Sequence, residues 1–254
     1  MEVHSHTHTP RKKWAHYFWE FLMLFLAVTL GFFVENQREH YIEGQREKKY
    51  IQSFYEDLTA DERDLEININ FLRAQKVEAD SLQLLMKNLD IKQPANRIYM
   101  YLRGITRSSG GLLYPNDRTI VQLRNAGGMR LIKNKNVSDS MVGYYRTIEI
   151  IRFLTEESLI NKRSLREKYA PLLNAADFAK IIDSTARIIN PAETLYLRKA
   201  DADIINECLI EINRIENINS VLAIRIRSLK EQAGRIKDFI KKEYHLSARI
   251  SLEE

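Results

Sequence analysis

Three histidines alternate near the start of the chain: His4, His6 and His8, in the run HSHTH. In an extended segment alternate side chains project to one side, so three imidazoles could hold Zn²⁺, Ni²⁺ or Cu²⁺. Nothing behind the imidazoles would orient them, however, so a solvated polar tail explains the same residues. Glu20 is a carboxylate beside a long apolar stretch. His16 stands four residues before it, and Leu24, Ala27 and Gly31 follow on the same helical face. Ala27 and Gly31 have the small-xxx-small spacing that lets two membrane helices approach closely. A carboxylate on that face has three readings: a proton carrier, a helix–helix contact, or an acid that snorkels to the headgroups.

Two further groups bear on chemistry. Arg118, Arg124, Arg130, Lys133 and Lys135 surround Gly127-Gly128. A glycine turn followed by bases can bind an anion, although a helix stop beside a solvated basic face accounts for the pattern better. Neither GxxxxGK[ST] nor GxGxxG occurs. HExxH, GxSxG and CxxC are also absent. Cys208 is the only cysteine, so no intrachain disulfide forms, and its place on an apolar stripe marks it as core filler. The inventory predicts no catalytic residues, no cofactor and no enzyme activity.

These groups must be positioned by helices. Residues 14–34 read WAHYFWEFLMLFLAVTLGFFV, directly after Arg11-Lys12-Lys13. The apolar run Phe21–Val34 alone reaches only about 21 Å, short of the roughly 30 Å hydrocarbon core. A span therefore includes Trp19 and Glu20 or continues past Glu35. Trp14, Tyr17 and Trp19 suit a headgroup belt, which places Glu20 at the membrane edge. A cleaved signal peptide is the rival reading, but Phe32-Phe33-Val34-Glu35-Asn36 is a poor cleavage site. An uncleaved anchor spanning the lipid bilayer is expected. The basic triplet predicts a cytoplasmic N-terminus; Arg38, Arg46, Lys48 and Lys49 on the other flank pull against it. The expectation is an inner-membrane anchor with a cytoplasmic tail over 1–13 and an extracytoplasmic, periplasmic domain over 35–254.

The formal net charge of +5 is spread over a mixed surface, which does not point to nucleic acid. Nine glycines and five prolines suit long helices. Ile51, Tyr55, Leu58, Glu62, Leu65, Ile69 and Leu72 recur at alternating four and three spacing, predicting a helix over about 35–89, broken or bent near 73–77. Val137, Met141, Tyr144, Ile148 and Ile151 make a second stripe, on a helix over about 137–169 capped by Asn136 or Ser138. Asn116 or Asp117 should cap a helix that Gly127-Gly128 stops. A short helix is expected over 177–189, and Asn190-Pro191 should start another. The last helix, over about 203–244, carries Cys208, Ile212, Ile215, Asn219, Leu222, Ile226, Leu229, Ala233, Ile236 and Ile240. Leu209, Ile218, Val221 and Phe239 widen its stripe, which favours a bundle over an isolated coil. The fold class expected is all-α: an N-terminal transmembrane helix, then an elongated bundle of long coiled-coil-like helices.

Residues 16–58 and the segment TIVQLRNAGGMRLIKNKNVSDSMVGYY (119–145), with the N-terminal MEVHSHTHTPRKK, resemble an uncharacterised family of small single-span membrane proteins from Bacteroidota. The resemblance covers about a third of the chain and implies a location but no reaction. In layout alone, a short tail, one span with an acid and an outer domain are similar to proton-driven stator subunits. The leading expectation is a non-enzymatic interaction or scaffold protein of the bacterial envelope, partnered by a second copy or another envelope protein. The alternatives are a sensory input module working through a partner and an accessory subunit of a proton-driven complex that uses Glu20.

Overall fold

The computed structural model describes residues 14–107, 115–125 and 127–246. The proposed ligands His4, His6 and His8 and the anchors Arg11, Lys12 and Lys13 lie outside the described residues. The fold is all-α. Six α-helices are formed among the described residues: α1 (Trp14–Lys87), α2 (Asn96–Thr106), α3 (Arg118–Asn125), α4 (Lys135–Tyr169), α5 (Ala175–Lys180) and α6 (Ala202–Tyr244). The only β pairing among the described residues is an isolated bridge between Ile182 and Ile188. Contacts divide the chain into two compact units, Met1–Lys49 and Tyr50–Glu254.

In the first unit, the described residues are the N-terminal part of α1. From Trp14 to Val34 every side chain is exposed except half-buried Leu22. This is one helix long and apolar enough to cross a membrane: its most apolar stretch has a mean hydropathy of 1.9 and none of it is buried.

In the second unit, three long segments pack together: residues 50–87 of α1, α4 and α6. Polar pairs fix their directions. Asp61 meets Tyr144 and Gln75 meets Lys162, so α1 and α4 run parallel. Glu62 meets Lys237 and Gln75 meets Asn219, so α6 runs antiparallel to α1. The stripes explain the packing. All ten α6 positions from Cys208 to Ile240 are buried, as are Val137, Met141, Tyr144, Ile148 and Ile151 on α4. Val221, expected to widen the α6 stripe, is instead 44% exposed.

On α1 the seam differs from the apolar reading. Ile51, Leu58, Leu65, Ile69 and Leu72 are buried as expected, but Phe54 and Asp61 take inner positions that the spacing gave to Tyr55 and Glu62. Hydrophobic patterning passes over an aspartate, yet a buried polar group is tolerated once it is hydrogen-bonded. The helix is not broken at 73–77. Gln75 there is 2% exposed and its carboxamide is fully engaged.

The connections differ more. The cap of α4 is Asn134, whose side chain accepts from the N–H groups of Asn136 and Val137. Gly127, at φ +59°, ends α3 as expected, because the left-handed region suits glycine. The helix expected over 177–189 is only α5. Beyond it Asp183 accepts from the N–H groups of Thr185 and Arg187, folding the chain back so that Ile189 donates to the Ile181 carbonyl. No helix starts at Pro191; that stretch lies across α2, with Leu195 N–H on the Asn96 side chain and Ala95 N–H on the Leu195 carbonyl. Asp201 caps α6 through Ile204 N–H.

Candidate functional site

Burial in the second unit falls into two apolar clusters. One contains Leu72, Ile151 and Leu222; the other contains Ala79, Leu165 and Ile215. Each of the three long helices passes from one cluster to the other, and where it does so it carries polar residues: Gln75 on α1, Ser158 and Lys162 on α4, Asn219 on α6. All four are buried.

These side chains form one network. The Gln75 carboxamide oxygen accepts from the Lys162 ammonium at 3.1 Å and from the Asn219 amide at 3.2 Å. The Asn219 oxygen accepts from the Ser158 hydroxyl at 2.9 Å. The Gln75 amide donates to the carbonyls of Gly104 and Ile105 at the end of α2. A buried polar layer costs more when one helix slips and its bonds are lost than when the helices are in register, so it favours one alignment. Sequence patterning placed only Asn219 of this set on a seam. Gln75, Ser158 and Lys162 could have been found only as polar residues at core spacing, a signal that an apolar count discards.

Lys162 is the most perturbed base. It is 5% exposed, and no carboxylate lies within ion-pair distance of it among the described residues. Burial, with the cations Arg166 and Arg107 nearby, pushes its ammonium down to about 8. Its ammonium also lies 5.7 Å from the Phe71 ring centre, which offers a partial substitute for an anion.

Beside this layer, α1 and α6 leave a cleft of about 290 Å³. Ala79, Ser220 and Ala223 line it. Their short side chains leave the gap unfilled. Leu72, Ile105, Ile215 and Ile224 supply apolar wall, and Gln75 and Asn219 border it. Arg73, Lys76, Glu216 and Arg227 bring charge to the lining.

A second polar cluster holds α3. Asp57 and Asp61 are one turn apart on α1, and both are buried. Asp57 accepts from Thr119 N–H at 3.2 Å and pairs with Arg118 at 3.2 Å, so it acts as a cap for α3 supplied from another helix. Asp61 accepts from Asn116 N–H and from the Tyr144 hydroxyl, each at 2.8 Å. Burial raises the Asp61 carboxyl against the pull of these bonds.

Glu20 pairs with His16 at 3.0 Å on the exposed face of α1. Leu24 is 66% exposed, and a Cβ at Gly31 would meet nothing within 4 Å beyond its own turn of helix. Trp14 and Trp19 are exposed in the same unit. Of the bases around Gly127-Gly128, Arg118 is drawn onto Asp57, while Arg124, Arg130, Lys133 and Lys135 are exposed. Cys208 is buried, and burial pushes its thiol up to about 12, so it is not a nucleophile at neutral pH. No group of three or more His, Cys, Asp or Glu side chains among the described residues is arranged to hold a metal.

No protein-family model matches the chain, and no curated protein or solved structure matches it.

Proposed function

We propose that this protein is a single-span, membrane-anchored scaffold of a bacterial envelope, which works by binding a second copy of itself or another envelope protein rather than by catalysis. The observation that carries this reading is the stretch from Trp14 to Val34, exposed on every side apart from half-buried Leu22, with a mean hydropathy of 1.9 in its most apolar part. An unburied surface of that kind finds its solvent in lipid. The basic triplet Arg11-Lys12-Lys13 orients the anchor with its N-terminus in the cytoplasm of an inner membrane and the bulk of the chain outside. The face formed by Glu20, Leu24, Ala27 and Gly31 is the helix contact within the bilayer.

The test is cysteine crosslinking in native membranes. Cys208 is buried, so a cysteine placed at Leu24 or Ala27 reports on the span. The expected product is a crosslinked dimer or a partner adduct at those positions, with little at Phe25 or Leu26 on other faces. Recovery of monomer alone, from every position, sinks the proposal.

A further inference from the structure

The cleft between α1 and α6 has a shape and charge that specify a ligand. Its volume of about 290 Å³ holds on the order of ten non-hydrogen atoms, at about 30 Å³ for each water-sized group. The wall is set by Leu72, Ala79, Ile105, Ile215, Ala223 and Ile224, which suits an apolar body. The bordering carboxamides are already satisfied by one another, by Ser158, by Lys162 and by the Gly104 and Ile105 carbonyls. A ligand meeting them needs no polar group on its body.

Charge decides the head group. Glu216, the acid of the lining, accepts from Gln83 through one oxygen, while the other lies 3.9 Å from Lys76 and makes no hydrogen bond; burial, with Asp80 beside it, raises its carboxyl, which favours the neutral acid over the anion. The acids of the adjoining groove are matched: Glu66 with Lys230, Glu62 with Lys237 and Glu231 with Arg235. The cations Arg73 and Arg227 line both the cleft and that groove. Arg73 donates only to the neutral Asn70 side chain, at 3.1 Å. Arg227 has no hydrogen-bond or ion-pair partner among the described residues. A guanidinium without a counter-ion beside an apolar cleft is matched by a carboxylate, which it can bind with two parallel N–H···O bonds.

We infer that the α1–α6 cleft is a binding site for a small monocarboxylate with an apolar body, the carboxylate resting on Arg227 and Arg73 and the body against Leu72, Ile105 and Ile215. The site lies wholly within residues 50–254 and does not depend on the membrane reading of 14–34. Burial of an apolar body between α1 and α6 adds contact where their small residues leave none, so occupancy stiffens this pair of helices.

The probe is hydrocinnamate, titrated by calorimetry into the intact protein in lipid nanodiscs, with empty nanodiscs subtracted for partitioning. Hydrocinnamyl alcohol and phenylpropylamine carry the same body with a neutral or cationic head. The expected result is saturable binding of the acid, at least tenfold tighter than either analogue. Arg227→Gln removes an exposed charge and should weaken the acid at least tenfold while leaving the alcohol unchanged. Ser220→Leu fills the cleft from an exposed position and should abolish binding; Ala223→Leu repeats that test one turn further along α6, and far-UV circular dichroism confirms that both variants fold. The inference is overturned if no saturable heat appears, if the alcohol or amine binds as tightly as the acid, or if folded Arg227→Gln or Ser220→Leu binds like the parent.

Discussion

The Lys162 ammonium lies 3.1 Å from the carboxamide oxygen of Gln75, inside the bundle and between its two apolar clusters. No carboxylate among the described residues neutralises it. The pair is therefore a polar clasp rather than an ion pair, and it holds α1 and α4 at one relative height.

That clasp has a signed pH dependence. The unfolded chain keeps the lysine proton up to about 10.5, whereas the folded chain loses it near 8. Between these values the unfolded state binds more protons, so this group makes stability rise with pH. Lys162→Met, which leaves Gln75 bonded to Asn219, should stabilise the protein at neutral pH by about 1–3 kcal/mol. The gain should fade as pH approaches the unfolded value. Chemical denaturation of both proteins across that range checks it; an offset that does not change with pH would show that the ammonium carries no desolvation cost.

Asp57 ties α3 to α1 through Thr119 N–H and Arg118. Asp57→Ala leaves the α3 amide without its acceptor and should cost about 2–3 kcal/mol. Hydrogen exchange should rise over 118–125 and stay unchanged in α6. Equal protection of α3 in both proteins would mean that apolar contacts at Ile120 and Leu123 hold it alone.

The start of α4 offers a direct comparison of three residues. Asn134→Ala should cost about 1 kcal/mol, because its side chain accepts from two first-turn N–H groups. Asn136→Ala and Ser138→Ala should each stay within about 0.5 kcal/mol. Thermal unfolding of the three variants settles the assignment, and a larger loss at Ser138 than at Asn134 would contradict it.

How much of this was legible from sequence depends on the element. The α6 stripe was readable because its ten positions are mostly aliphatic and hold their spacing over the whole helix. The α1 register was only partly readable, since Asp61, Asn68 and Gln75 occupy inner positions; the partners of Asp61 and Gln75 come from distant parts of the chain, while Asn68 donates to the Asp64 carbonyl of its own helix. The segment after α5 misled because Ile181, Ile182, Ile188 and Ile189 supply helix-like apolar spacing, while the turn at Asp183 rests on side-chain bonds to its own backbone. The cleft left no sequence signal, because it arises from small residues on helices more than a hundred positions apart.

The same contrast predicts core energetics. Leu229 is fully buried and Val221 is 44% exposed on the same helix. Leu229→Ala should cost about 2–5 kcal/mol, and Val221→Ala should stay within about 0.5 kcal/mol. Equal losses at the two sites would place Val221 in a buried contact and revive the wider stripe.

The central claim is that residues 14–34 stay in the chain as a bilayer anchor, and the most direct measurement is alkaline carbonate extraction of native membranes followed by intact-mass analysis. The account predicts that the protein remains in the membrane pellet with the mass of the uncleaved chain. Release into the supernatant, or a mature chain shortened at a site near Val34, would contradict it.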